Sequence, residues 1–153
     1  QQQQQQKHNH HDDDNEHLIK NCTLTDLDIS NNNIGQETLE SLAIVMKSNP
    51  SLLTLRMDCL FQIGNESYIN HVFNECRVFN QTFKILSLTD TPISVNTFDH
   101  IMRIFDGTSV LQKVYLSRCN ITAMHMRQSF MRVESSNYLT HITLSGNKLT
   151  DQG

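Results

Sequence analysis

One apolar motif occurs five times along this chain of 153 residues. An apolar residue stands at the first, fourth and sixth positions of each motif, and the five motifs start at Leu24, Leu52, Phe83, Leu111 and Leu139. The steps between successive starts are 28, 31, 28 and 28 residues, so the second repeat carries an insertion. A period of about 20 to 29 residues is typical of a solenoid, in which each unit buries its apolar surface against its neighbours.

Each repeat is predicted to contain a strand, a turn and a helix. Residues 36–48 have apolar residues at three- and four-residue spacing, which forms one helix face, and Asn49-Pro50 ends that helix. The later repeats show the same spacing at Ile69, Val72, Phe73, Cys76 and Phe79, at Phe98, Ile101, Ile104 and Phe105, and more thinly at Met126, Phe130 and Val133. The fold class is therefore α/β.

Alternate side chains of a strand point to opposite faces, so positions four and six of each motif are predicted to point together into the interior. Parallel strands joined through helices nearly always connect in a right-handed sense. Strands lie about 4.8 Å apart and helices need roughly 10 Å, so the helical side must spread. We expect a curved right-handed solenoid with parallel strands on the concave face and helices on the convex face.

Position nine of each repeat falls in the turn that follows the strand, where backbone groups point inward and need partners. The residues there are Asn32, Leu60, Thr91, Cys119 and Asn147. An asparagine amide both donates and accepts, and a cysteine is a small substitute that tolerates burial. We predict a structural turn ladder of Asn32, Thr91, Cys119 and Asn147, and a distorted turn over residues 60–62, where Leu60 replaces the polar residue.

These units resemble the leucine-rich repeat family, and the 28-residue helical repeats with Asn or Cys at position nine resemble its ribonuclease-inhibitor-like subclass. The resemblance covers Leu18 to Gly153 and extends to the segments 32–35 and 147–153, which begin the convex half of a repeat. It implies a repeat array over residues 18–153 that continues beyond the C-terminus of this sequence. It implies little about function.

Residues 1–17 have a different composition from the array. Six glutamines precede a His/Asp/Asn run, and residues 1–16 contain no aliphatic or aromatic side chain. Such a polyglutamine-containing, low-complexity segment is predicted to be disordered. Its histidines beside three aspartates have the right chemistry for a weak metal site, but nothing fixes a ligand geometry, so we predict no metal and no cofactor.

Charge favours a protein partner. The net charge is −4, of which −3 lies in residues 1–16, so the array is nearly neutral and lacks the basic surface that nucleic acid or an anionic membrane requires. Four widely spaced cysteines without a Cys-x-x-Cys pair favour reduced thiols in the cytoplasm. Four Asn-x-Ser/Thr sites leave a secreted receptor ectodomain as an alternative.

The outward positions of the predicted strands are the candidate binding surface. Five outward positions on five strands give 25 residues, comparable with the roughly 20 to 30 of a standard protein interface. The candidate partner-binding residues on this concave face are Arg56, Asp90, Lys113, Tyr115, Arg118 and His141. An acidic or aromatic partner element is expected over repeats three to five; the alternative is a solvated face on which Arg118 pairs with Asp90.

No phosphate loop, nucleophile elbow or zinc-protease helix occurs, and His71, His100 and His125 lie in predicted helices without an identifiable acid or nucleophile. We therefore predict no enzyme activity. The sequence favours a protein-interaction scaffold of unknown oligomeric state. The alternative is a regulatory or substrate-positioning array of a larger signalling protein that acts in small-GTPase activation, actin regulation or a ubiquitin ligase.

Overall fold

The computed structural model describes residues 23–60, 69–74, 82–104, 110–129 and 137–150. Residues 69–74 are helical, and the elements along the chain are β1 (Asp26–Asp28), α1 (Gln36–Ser48), β2 (Thr54–Arg56), β3 (Ile85–Ser87), α2 (Val95–Arg103), β4 (Lys113–Tyr115), α3 (Ala123–Ser129) and β5 (His141–Thr143). The predictions for residues 1–17, Gln62, Cys76, Phe79, Phe105, Phe130 and Val133 fall outside the described residues.

The five strands form one open parallel sheet whose order is the order of the chain. Equivalent repeat positions are aligned across it, so that position four runs from Leu27 through Leu55, Leu86 and Val114 to Ile142. Strands in chain order that alternate with helices confirm the predicted α/β solenoid. The register also places every outward position of one strand beside the same position of the next.

The interior is one hydrophobic core built from the inward strand residues and the apolar helix faces. Positions four and six are at most 1% exposed in the three central repeats, at Leu55, Met57, Leu86, Leu88, Val114 and Leu116. In the first and last repeats the equivalent pairs, Leu27 with Ile29 and Ile142 with Leu144, are only half-buried. Burial in this array therefore depends on having a neighbouring repeat on both sides.

The helix boundaries follow from local chemistry. Helix α1 buries Leu39, Leu42, Ala43 and Met46, the four residues that the spacing predicts. The side-chain oxygen of Asn49 then accepts the backbone N–H groups of Ser51 and Leu52 at 2.8 and 2.9 Å, which turns the chain toward β2. Helix α2 begins after Ser94, whose hydroxyl accepts the N–H of Thr97 at 3.1 Å and so caps the helix.

Position eight adopts a left-handed backbone conformation in all five repeats. The φ angles are between 55° and 71° at Asn31, Cys59, Asp90, Arg118 and Gly146. In the first four repeats the N–H of this residue donates to the position-seven carbonyl of the next repeat, at 2.9 Å each time. The left-handed conformation is unfavourable by roughly 1–2 kcal/mol for residues other than Gly, Asn and Asp. The hydrogen bond between repeats therefore offsets the conformational strain of the turn. Cys59 has the same geometry as the others, so the turn of repeat two is regular as far as Leu60.

Candidate functional site

The candidate site is the outward face of the sheet, which we define as positions three, five, seven and eight of the repeats. Position three runs in register through Asp26, Thr54, Ile85, Lys113 and His141, and position five runs through Asp28, Arg56, Ser87, Tyr115 and Thr143. The sheet thus brings five of the six candidate partner-binding residues onto β2, β4, β5 and the turn that follows β4. The sixth, Asp90, lies in the equivalent turn after β3.

Acidic side chains occupy the first edge of this face. Asp26 and Asp28 are exposed on β1. The hydroxyl of Thr25 donates to Asp26 at 2.8 Å and lowers the pKa of that carboxyl, with a further contribution from Thr54. Hydrogen bonds from Ser30 lower the pKa of Asp28, and the positive charge of Arg56 acts in the same direction on both carboxyls. This edge therefore stays negatively charged at neutral pH.

The centre of the face is closed, although it points outward. Ser87 is 3% exposed and Thr54 is 4% exposed. The Ser87 hydroxyl donates to a carboxylate oxygen of Asp58 at 2.6 Å, and the same oxygen accepts the N–H of Thr89 at 2.7 Å. Larger neighbours on both sides, Arg56 and Tyr115, share a row with Ser87. An outward position in the sequence pattern is consequently not always an accessible one.

Arg118 and Asp90 form a two-pronged ion pair between the turns of repeats three and four. The guanidinium Nε and Nη2 donate to the two carboxylate oxygens at 2.5 and 2.6 Å. The pair raises the pKa of Arg118 and lowers the pKa of Asp90, and hydrogen bonding is the largest cause of both shifts. The stem of Arg118 lies over Gly146, where an added Cβ would be 2.7 Å from its Cγ. The pairing that the sequence left as an alternative is present.

Lys113, Tyr115 and His141 lie together on β4 and β5. Lys113 and His141 are exposed neighbours in the register, and Tyr115 is half-buried. The rings of Tyr115 and His141 contact each other with centroids 5.7 Å apart and a tilt of 48°. The side chains of this group point away from the core, so their chemistry is available to a partner.

The turn residues at position nine connect successive repeats. Asn147 donates to the carbonyls of Leu116 and Leu144 and accepts the N–H groups of Cys119 and Ile121, over distances of 2.7 to 3.0 Å. The Cys119 thiol donates to the Leu88 carbonyl at 3.0 Å. The Thr91 hydroxyl donates to the Met57 carbonyl at 3.0 Å and accepts the N–H of Leu60 at 3.2 Å. Each side chain therefore binds the position-six carbonyl of the preceding repeat.

Asn32 behaves differently from the other three. Its side chain is exposed, and its amide donates to two carbonyls of its own turn, those of Ile29 and Ser30, at 3.0 and 3.1 Å. Leu60 stands at position nine of repeat two, and its apolar side chain cannot donate a hydrogen bond to the position-six carbonyl of Ile29. The amide of Asn32 supplies that hydrogen bond instead, so the first repeat satisfies its own turn.

Two segments of the chain match a known family model. The model is described as Leucine Rich repeat, and it matches residues 20–43 and 135–153. These matches support a leucine-rich repeat family. They cover the first and last repeats, which are the two with asparagine at position nine. A search of curated proteins finds no match to the chain.

Within the repeat array, Cys119 is suited to structure and not to catalysis. It is fully buried, and this burial raises the pKa of its thiol to about 11. The thiolate is the nucleophilic form of cysteine, so a thiol with a raised pKa is unreactive at neutral pH. Cys59 and Cys119 are both free thiols.

The three histidines that the sequence places in helices differ in burial. His71 is exposed, His100 is half-buried and His125 is buried. The Nδ1 atom of His125 accepts the N–H of Thr122 at 3.1 Å, its Nε2 faces the Ile93 carbonyl at 3.3 Å, and its ring packs edge-on against Phe98. Both ring nitrogens thus have backbone partners, and His125 serves to join α3 to repeat three.

No cluster of three or more His, Cys, Asp or Glu side chains suited to a metal ion occurs among the described residues. The histidines of residues 8–17 lie outside that set. Likewise, none of the helices in the described ranges is long and apolar enough to cross a lipid bilayer.

Proposed function

We propose that this array is a non-enzymatic protein-interaction scaffold that binds a protein partner on the outward face of its sheet. The proposed contact residues are Arg56, Asp90, Lys113, Tyr115, Arg118 and His141. Leucine-rich repeats generally mediate protein–protein interactions and typically act without catalysis. The observation that carries the proposal is the row of exposed charged and aromatic side chains on one sheet, above an interior that is closed.

The residue types on this face support the same function. Tyrosine and arginine are enriched among the residues that dominate protein-interface energies, and Tyr115 lies on the same strand as Lys113 and in the same repeat as Arg118. The sheet also fixes the positions of these side chains before a partner arrives, which reduces the entropy lost on binding. We propose that binding occurs by rigid docking onto a preformed surface.

Two finer assignments belong to this proposal. The Asn147 and Cys119 hydrogen bonds between repeats support the ribonuclease-inhibitor-like subclass, which has Asn or Cys at position nine. The free thiols of Cys59 and Cys119 support a cytoplasmic location, because disulfides are favoured in secreted domains and rare in the cytosol.

The experiment begins with the full 153-residue chain as bait, followed by purification of one captured partner and measurement of its affinity. Two variants then test the face. Tyr115→Ala removes the aromatic anchor, and the double variant Asp90→Arg with Arg118→Asp preserves the ion pair while it reverses the polarity of the turn edge. Each is expected to weaken binding at least about tenfold, since the loss of a hot-spot residue typically costs about 2 kcal/mol or more.

The melting temperature is the control, because exposed side chains that only bind a partner contribute little to folding. A nearly unchanged melting temperature with lost binding supports the proposal. Full binding by both variants, or protection from hydrogen exchange that appears on the helices and not on the strands, contradicts it.

A further inference from the structure

Three cations point outward from the strands and turns of the sheet face, and two of them already have acidic neighbours. Arg118 is held by Asp90 in the two-pronged ion pair. Arg56 is aligned in the register with Asp28 of β1, and its charge lowers the pKa of that carboxyl. Lys113 has no such neighbour: in the described ranges of the chain no carboxylate forms an ion pair with it, and the residues across from it in the register are Ile85 and His141.

Aromatic rings lie next to this unbalanced cation. His141 is directly across from Lys113 in the register, and Tyr115 is two residues further along β4 on the same side. The tilted contact between the Tyr115 and His141 rings holds both in place. We call Lys113, Tyr115 and His141 the β4–β5 platform. It combines one ammonium group, one phenol and one imidazole on an exposed surface.

The acidic edge of the face is too far away to neutralise the platform. β1 and β4 are three strand spacings apart, which is about 14 Å at the usual spacing of about 4.8 Å. The Debye length at physiological ionic strength is about 8 Å, so charges at this separation are largely screened from each other. The face therefore has two electrostatically separate ends, an acidic one at β1 and one with a single unbalanced cation, Lys113, at β4.

We propose that the β4–β5 platform binds a short acidic segment of the protein partner, in which a carboxylate contacts Lys113 and an adjacent ring or apolar side chain packs on Tyr115. This inference rests on the proposed function and specifies its partner chemistry. A nucleic acid fits less well, because a polyanion that spans the face meets Asp26 and Asp28 and finds one unbalanced lysine where it needs several. A short segment covers the platform alone.

The first test uses a defined probe with the full chain. The probe is a synthetic peptide of aspartates and glutamates around one tyrosine, and its matched control replaces every acid by asparagine or glutamine. We expect the acidic peptide to shift the NMR signals of residues 113, 115 and 141, to bind more weakly at high salt, and to exceed the neutral peptide in affinity by up to about fivefold, since an exposed ion pair contributes up to about 1 kcal/mol. Equal affinity of the two peptides overturns the proposal.

The second test reverses one charge. Lys113→Glu places a like charge against the peptide and is expected to abolish measurable binding, whereas Lys113→Gln, which only removes the attraction, retains a weaker interaction. The matched control is Lys47→Glu, the same change on α1, which is not part of the sheet. Retained binding by Lys113→Glu, or an equal loss in Lys47→Glu, overturns the assignment to the platform.

A duplex oligonucleotide of similar charge serves as a further competitor. We expect it to leave the bound peptide in place; displacement of the peptide overturns the choice of a protein ligand. Failure of the acidic peptide together with loss of the captured partner in Tyr115→Ala refutes only the acidic chemistry and leaves the scaffold function standing. Failure of the acidic peptide together with undiminished binding of the captured partner by Tyr115→Ala refutes the face as a whole.

Discussion

The central repeats and the terminal repeats carry the same motif but differ in burial. Leu86 has a strand on each side and is completely buried, whereas Leu27, at the same motif position on the edge strand β1, is half-buried. Asn147 spans two repeats with its amide, whereas Asn32 bonds only within its own turn. The difference shows that the burial and the hydrogen-bond partners of a motif residue depend on its neighbouring repeats, and we expect its contribution to stability to depend on them too.

The largest expected difference between the two regions is in core packing. Leu86→Ala should lower the free energy of unfolding by about 2–5 kcal/mol, because it removes buried methyl groups and leaves a cavity. Leu27→Ala should cost roughly 1 kcal/mol, since much of that side chain already contacts water. Urea denaturation followed by circular dichroism measures both values.

The cost of Leu86→Ala is a large share of a total stability that is typically about 5–15 kcal/mol. Leu86→Met therefore provides a folded comparison, because it keeps the side-chain volume and costs less than about 1.5 kcal/mol. Equal costs for the two alanine variants refute the dependence on neighbouring repeats.

The second comparison separates a hydrogen-bonding role from position in the array. Asn147→Ala should lower the free energy of unfolding by about 2 kcal/mol, because it leaves the N–H groups of Cys119 and Ile121 without their partner. Asn32→Ala should cost about 1 kcal/mol or less, since water can replace its exposed hydrogen bonds. Both residues lie in terminal repeats, so the two variants are matched in their position in the array. A larger loss of stability in Asn32→Ala than in Asn147→Ala would show that Asn147 does not stabilise the contact between repeats four and five.

The third comparison concerns two glycines. Gly146→Ala should cost about 1–2 kcal/mol, because its φ of 71° disfavours a side chain and the new Cβ presses on Arg118. Gly35→Ala should change stability by less than about 1 kcal/mol, because Gly35 has an ordinary extended backbone and nothing within 4 Å of the added atom. In an Arg118→Ala background, the loss of stability caused by Gly146→Ala should shrink to the part that comes from the positive φ angle. An unchanged cost there places the whole effect in the backbone.

The smallest effect at neutral pH is expected for the cysteines. In a variant with serine at positions 22 and 76, a thiol reagent should modify half-buried Cys59 quickly and Cys119 only as fast as the protein unfolds.

Because the folded pKa of Cys119 is about 11, the unfolded chain loses its thiol proton first as pH rises, so stability is retained below pH 9 and falls toward pH 11. Cys119→Ser should remove this slope, and equally fast modification of the two thiols contradicts the buried environment.

Periodicity predicted the interior well because a strand leaves only two faces. The inward leucines, the parallel register and the bounds of α1 followed from spacing and from Asn49-Pro50 alone. The ranking of the outward residues did not follow. Ser87 and Arg56 share a row of the sheet, yet Ser87 is buried beneath its neighbours and Arg56 is exposed. The accessibility of an outward residue depends on the sizes of side chains that are 28 to 31 residues away in the sequence.

The left-handed turn also escaped the sequence pattern. Gly146 and Asn31 suit a positive φ, but Arg118 and Cys59 carry no local indication of one. Their conformation is imposed by the hydrogen bond from each turn to the next repeat. The ion pair between Arg118 and Asp90, by contrast, is one of the two alternatives that the sequence offers, and Gly146 leaves room for the Arg118 stem that reaches it.

The sequence by itself determined which residues face the core, how many strands pair and in what order, because a 28-residue period with three fixed apolar positions allows one strand register. Only the tertiary structure decided the distribution of burial and charge between the ends and the centre of the sheet. Those properties arise from contacts between repeats, where the size and hydrogen bonding of a neighbouring side chain determine what each residue contributes.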